Sequence, residues 1–264
     1  DTTVGAHLGD ELIIDDEETV TLDTNLGLLT LNTGLSADDM TSLTVVGDNA
    51  VDLSVVSSTA LATVDLSGLE DANFTASFAA STASITVTAN TTTGNTGVYD
   101  IIGGASDDNI TGTKGIDTFT GGGGNDTIAS GGGKDSIYGG TGVDSINAGA
   151  GVDYIEAGSG NDIIEVTDDA DFKTSGGVET IKGGDGTDTL KFTENATVTI
   201  TAPEVEHLYS IEKITFGNGG NAAKITFGNA TFTNLGADSI TIVGNTANSG
   251  TNFIDASAVT NGSI

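Results

Sequence analysis

The sequence contains no cysteine, no tryptophan and no arginine, and it has one proline, one methionine and two histidines. Each scarcity removes a class of mechanism. Without cysteine there is no disulfide framework and no thiolate metal site. Seven lysines face 38 acidic residues and no guanidinium is available to clamp phosphate. The resulting formal charge of −31 opposes both nucleic acid and anionic membranes as partners. His7 and His207 stand in no motif, and no G-x-S-x-G, H-E-x-x-H or phosphate loop occurs, so the chain is expected not to be an enzyme. No apolar run approaches the roughly 20 residues of a membrane span. The chain opens on Asp1 rather than Met, as expected for a piece of a longer protein.

Apolar residues other than glycine make up 36% of the chain, too few for one large aromatic-rich core. High charge with low hydrophobicity ordinarily means disorder, unless a ligand neutralises the charge and supplies folding energy. The expected ligand is a cation.

What the sequence has in quantity is glycine, 39 residues of it, and aspartate. From Gly103 to Glu165 they fall into seven contiguous blocks of nine: GGASDDNIT, GTKGIDTFT, GGGGNDTIA, SGGGKDSIY, GGTGVDSIN, AGAGVDYIE and AGSGNDIIE. The sixth place is always aspartate: Asp108, Asp117, Asp126, Asp135, Asp144, Asp153 and Asp162. The eighth is always apolar: Ile110, Phe119, Ile128, Ile137, Ile146, Ile155 and Ile164. A further unit, GGDGTDTLK, spans Gly183 to Lys191. The stretch between Glu165 and Gly183 reads as two degenerate units, VTDDADFKT with Asp171 at the sixth place and SGGVETIK with Glu179 there.

Each block has a glycine-rich half suited to a tight turn and a half centred on one apolar residue, suited to a short strand. Three residues cannot stand alone as a strand. Two blocks closing one coil solve this, with eighth-place residues pointing between two parallel sheets and backbone groups pairing with the coils above and below. The expected result is an all-β fold, a flattened right-handed parallel β-roll.

Stacking sets each sixth-place carboxylate about 4.7–4.9 Å from its counterpart two blocks on. Two such charges at ~5 Å repel by about 3 kcal/mol at an effective dielectric near 20. A divalent cation must therefore lie between them. The donors are carboxylate and carbonyl oxygens, which select a hard ion, and Ca²⁺ suits flexible turn carbonyls better than Mg²⁺ with its tight octahedron.

These blocks closely resemble the RTX, or haemolysin-type, calcium-binding nonapeptide family, whose pattern is G-G-x-G-x-D-x-U-x. The resemblance implies a parallel β-roll with Ca²⁺ held between blocks n and n+2 by sixth-place acids and turn carbonyls. It pairs Asp108 with Asp126, Asp117 with Asp135, Asp126 with Asp144, Asp135 with Asp153, and Asp144 with Asp162. It extends the series to Asp153 with Asp171, Asp162 with Glu179, and Asp171 with Asp188. Ser106, Thr113, Ser130, Ala148 and Ala157 depart from the glycine pattern, which is expected to weaken the outermost sites.

Either side of the array lie short β-branched runs: Leu43 to Val46, Val51 to Val56, Thr63 to Leu66, Ile85 to Ala89, Thr197 to Thr201, Ile211 to Phe216, Lys224 to Phe227, Ser239 to Val243 and Phe253 to Ala256. Ser36 to Asp39 and Pro203 to Leu208 each suit one helical turn at most. The expected division is a β-rich segment 1–98, the roll 99–191 and a β-rich segment 192–264, the flanks being β-helical or sandwich-like. The flanks resemble those of large RTX-type surface-layer proteins and adhesins. That resemblance implies a secreted, calcium-folded structural segment of the bacterial cell surface, exported by type I secretion and self-associating into a lattice, with cell-surface polysaccharide as a further candidate partner. The alternatives are an accessory module of a secreted enzyme or a segment of an adhesin. The clusters Asp15 to Glu18 and Asp168 with Asp169 read as solvated surface, and the four tyrosines as too dispersed for a sugar-stacking platform.

Overall fold

A computed structural model describes residues 2–4, 8–13, 19–25, 29–36, 39–92, 94–166, 179–193, 197–200, 207–216, 224–227, 241–243 and 253–255. Among them every regular element is a strand. The strands form two long parallel sheets, one of 12 strands and one of 11. Apart from Gly132–Gly133 and Ala150–Gly151, which pair with each other in a small sheet of their own, successive strands of the array alternate between the two. Asn109–Thr111, Thr127–Ala129, Ser145–Asn147 and Ile163–Val166 lie in the first, and Thr118–Gly123, Ser136–Thr141 and Tyr154–Gly160 in the second. Ile110 pairs with Ile128, Ile128 with Ile146 and Ile146 with Ile164, so each coil is made of two blocks.

The eighth-place side chains form the interior of the roll. Ile110, Phe119, Ile128, Ile137, Ile146, Ile155 and Ile164 are all at most 1% exposed, while their neighbours in the strand face outward. The seventh and ninth places can therefore be small and polar, because one apolar residue per half-coil fills the narrow space between the sheets.

Both flanks continue the same two sheets. Tyr99–Ile102 pairs on one side with Phe74–Ser77 and on the other with Thr118–Gly123, and Thr189–Phe192 pairs with both Ile163–Val166 and Lys213–Phe216. The N-terminal flank is a β-helix with wider coils than the roll: Ser42 pairs with Thr63, and Thr63 with Thr86, each step longer than two blocks. The extra chain in each coil encloses a larger core of Met40, Leu43, Leu53, Leu61, Leu66, Phe74 and Phe78, each fully buried. In the C-terminal flank Thr197–Ile200, Lys224–Phe227 and Phe253–Asp255 form a separate three-stranded parallel sheet.

Two local expectations change. The run Val51 to Val56 is not one strand but two short ones, Val51–Asp52 and Val56–Ser57. Ser54 breaks it by taking φ +50, held there as its amide and hydroxyl both donate to Asp52 Oδ1. The helical turn expected from Ser36 is preceded by an eight-residue strand, Leu29–Ser36. Residues 37–38 and 203–206 lie outside the described residues.

Candidate metal centre

Nine acidic residues are buried among the described residues: Asp108, Asp117, Asp126, Asp135, Asp144, Asp153, Asp162, Glu179 and Asp188. All occupy the sixth place of a block. The glycine-rich turn ends there, and the acid enters the next strand one residue ahead of it, so its carboxyl folds back under the turn. The backbone amide of each then donates to the carboxyl of the counterpart one coil on: Asp108 to Asp126, Asp117 to Asp135, Asp126 to Asp144, Asp135 to Asp153 and Asp144 to Asp162, at 2.7–2.8 Å to Oδ1. The five expected pairs are thus brought together in two ladders, one along each edge of the roll.

One oxygen of each carboxylate is committed to that ladder. The other, Oδ2 of Asp126, Asp135, Asp144, Asp162 and Asp188, is buried and accepts no hydrogen bond. A buried ionised oxygen without a partner is strongly unfavourable, so the fold presents it to something other than a protein donor. Turn carbonyls converge on the same place. A Cβ built on Gly121 would overlap Asp126 Oδ2 and approach the Gly139 carbonyl at 2.6 Å, and one on Gly139 would meet Asp144 Oδ2 at 2.5 Å and overlap the Ala157 carbonyl. First-place glycine therefore leaves open a cradle walled by carboxylate and carbonyl oxygen. This all-oxygen donor set fits Ca²⁺, and the ladder acids with those carbonyls are the residues that would hold it.

Burial sets the electrostatics of the ion-free array. It pushes Asp126 up to about 7, with Asp144 and Asp108 nearby adding to the rise, and pushes Asp135 and Asp188 up to about 6. Asp108, Asp117, Asp144 and Asp162 are raised by the same cause.

The first coil is built differently. Asp108 Oδ2 accepts the Gly104 amide at 2.6 Å and its Oδ1 the Ile85 amide at 2.8 Å. Asp117 Oδ2 accepts the Thr113 amide at 2.9 Å, and its Oδ1 the Tyr99 amide at 2.7 Å. Thr113 also donates its hydroxyl to the Gly97 carbonyl. From the third block on, the second-place glycine turns left-handed, beginning with Gly122 at φ +112, and its amide no longer folds back onto the acid of its own block. The glycine departures at Ser106 and Thr113 mark this change.

Gly142 shows how tightly the turns stack. It has φ +129, and a Cβ there would overlap the Gly124 carbonyl of the coil below. Gly142→Ala should destabilise the calcium-loaded protein by about 1–3 kcal/mol from the backbone conformation alone. The check is thermal melting in saturating calcium, where an unchanged midpoint would show that the turn can be rebuilt.

The outer pairs need correction. Asp162 donates its amide to Asp188 Oδ1 at 2.9 Å, not to Glu179. Tyr154 pairs with Thr180, which sets Glu179 beside Asp153 rather than Asp162. Among the described residues, the stretch between Glu165 and Gly183 supplies one half-coil, that of Glu179. The physical reason is in VTDDADFKT: as a rung it would carry Lys173 at the eighth place, putting an ammonium into the apolar column. Asp171, and with it the pairs to Asp153 and Asp188, lies outside the described residues. So do Asp15 to Glu18, Asp168, Asp169 and His7. His207 sits in a turn, and its carbonyl accepts the Ile181 amide.

Two features escaped the sequence reading. Glu212, in the flank, accepts the Asp188 amide at 2.8 Å and so continues the carboxylate ladder beyond the repeats. Tyr138 and Tyr154, read as dispersed, lie with ring centroids 5.8 Å apart on the outer face, and Lys182 sits 4.8 Å from the Tyr154 centroid. The two-block coil could have revealed the second, since it puts the seventh and ninth places of blocks one coil apart on the same outer face, where Tyr138 and Tyr154 are diagonal neighbours.

Four copies of the RTX calcium-binding nonapeptide repeat family model match the chain, at residues 102–137, 130–164, 138–172 and 174–191. Searches of curated proteins and of solved structures returned no match. The matched stretch, about a third of the chain, coincides with the coils whose carboxylates stack, and these coils are RTX repeats, the calcium-binding nonapeptide.

Proposed function

We propose that the chain is a structural segment of the bacterial cell surface, of surface-layer type, exported by type I secretion and folded by calcium on arrival outside the cell. The observation that carries this reading is continuity. The two sheets pass through the array into both flanks, so the calcium-binding coils are the middle of a rod rather than an appendage to another domain. Twelve strands at 4.7–4.9 Å give that rod a length of about 50 Å. A solenoid in which each coil touches only its neighbours transmits load along its axis, and such a shape serves a lattice better than it forms a catalytic cleft.

Before export, low calcium leaves the acids of the array unneutralised and this part of the chain unfolded. Outside, binding to the native state alone stabilises it by mass action, about 4 kcal/mol for an ion at a thousand times its dissociation constant. Adding calcium to chelated protein should increase the β-sheet circular dichroism cooperatively, and electron microscopy of the loaded protein should show ordered sheets or arrays. Persistently monomeric particles at high concentration would favour an accessory module of an enzyme or an adhesin segment instead.

A further inference from the structure

Where the nonapeptide pattern ends at Lys191, the oxygen ladder does not. Asp188 is fully buried, its Oδ1 accepts the Asp162 amide and its Oδ2 has no hydrogen-bond partner. Its own amide donates to Glu212 Oε2 at 2.8 Å, the contact by which each array acid addresses the next. The next coil is in register there: Leu190 pairs with Ile214, and the Asp188 carbonyl accepts the amides of Glu212 and Lys213. Glu212 therefore occupies a sixth-place position in a segment, SIEKITF, that has none of the glycine signature.

The turn before Glu212 reproduces the array cradle. A Cβ on Gly183 would overlap both Asp188 Oδ2 and the Ser210 carbonyl oxygen, as one on Gly139 would crowd Asp144 Oδ2 and the Ala157 carbonyl. Ser210 has φ +51, the left-handed conformation that L side chains rarely adopt. That conformation directs the Ser210 carbonyl into the gap, where the array uses the first-place carbonyl of a block.

We propose that Asp188, Glu212 and the Ser210 carbonyl form an additional calcium site at the seam between the roll and the C-terminal flank, outside the nonapeptide motif. It rests on the calcium reading of the array and extends it to a coil with a different sequence. Its oxygen-only donors select a hard divalent ion, and its irregular turn suits Ca²⁺ rather than Mg²⁺. Two carboxylates on adjacent coils without an ion repel as in the array. Calcium at the seam therefore latches the flank onto the roll.

The test counts bound calcium by native mass spectrometry in the wild type, in Glu212→Gln and in Asp144→Asn as an array control. Glu212→Gln should bind one ion fewer than the wild type, with circular dichroism in calcium unchanged. An unchanged count in Glu212→Gln, while Asp144→Asn loses ions, overturns the seam site and leaves the array reading intact. A wild type that binds no calcium overturns both. Hydrogen exchange of the wild type gives a readout independent of any variant: protection of Leu208 to Phe216 should rise at least tenfold on adding calcium to chelated protein. Calcium-independent protection there counts against the latch.

Discussion

In excess chelator, hydrogen exchange should divide the chain near residue 120. Amides from Thr19 to Thr120 should keep most of their protection, and those from Gly121 to Phe192 should lose it by a factor of about 10³ or more. The division follows from where charge is buried. Among the described residues of the N-terminal flank the buried polar side chains, Thr24, Ser58, Ser81, Asn90 and Asn95, are all neutral, and the core is otherwise aliphatic and aromatic. Nothing there depends on an ion. The first array coil inherits that independence, because backbone amides already donate to both oxygens of Asp108 and Asp117. Beyond it, Asp126, Asp135, Asp144 and Asp162 each carry a buried oxygen without a donor. Without calcium each costs on the order of several kcal/mol in desolvation and repulsion, against a net stability of ~5–15 kcal/mol for a whole domain.

A difference of 10³ in exchange corresponds to about 4 kcal/mol of local opening free energy, which the loss of two or three sites exceeds. The N-terminal solenoid then acts as a template: its last coil presents ordered strands on which the calcium-dependent rungs stack one at a time, as expected where neighbours alone interact. Uniform loss of protection in chelator would show that the flank depends on the array. Uniform retention would show that the array needs no ion. Either result is incompatible with this division.

Much of the array was legible because one physical demand fixed both the sixth and the eighth place. Ile146 must face inward for the coil to close on Ile128 and Ile164, and that sets Asp144 at the end of a turn, stacked on Asp126 and Asp162. Two residue types at a spacing of nine therefore specify strand, register and ladder together. The interruption after Glu165 is not legible from aspartate at the sixth place alone, because the eighth place decides what a rung buries. A rung there would put Lys173 at the eighth place. Glu212 was illegible for the opposite reason: it joins the ladder through a coil, from Thr189 to Lys213, that is longer than two blocks, and no nine-residue period leads to it. The strands Phe74–Ser77 and Tyr99–Ile102 were missed because their alternation is short and interrupted by small residues, so only the column of buried residues across coils identifies them.

Acid should partly replace calcium. Burial holds Asp126 at about 7 and Asp135 and Asp188 at about 6 in the folded chain, against roughly 3.9 for an unfolded aspartate. A group whose folded value lies above its unfolded one takes up its proton first in the native state. Between about pH 4 and pH 7 the native chain therefore binds more protons than the unfolded chain, and stability rises as pH falls. Each tenfold difference in proton affinity is worth about 1.4 kcal/mol, so lowering the pH of chelated protein from 7.5 to 5 should stabilise residues 121–192 by several kcal/mol and restore β-sheet signal. With calcium present the sign reverses for the ion: its ligands must be ionised, and apparent affinity should fall by about tenfold or more over the same interval. Melting curves at pH 7.5, 6 and 5, with and without calcium, measure both. Asp126→Asn, which imitates the protonated acid, should raise the chelated midpoint at pH 7.5, flatten its pH dependence and reduce the calcium count. A chelated protein that becomes less stable as the pH falls to 5 would mean that the ladder acids are solvated rather than buried between coils, and that calcium does not serve to neutralise them.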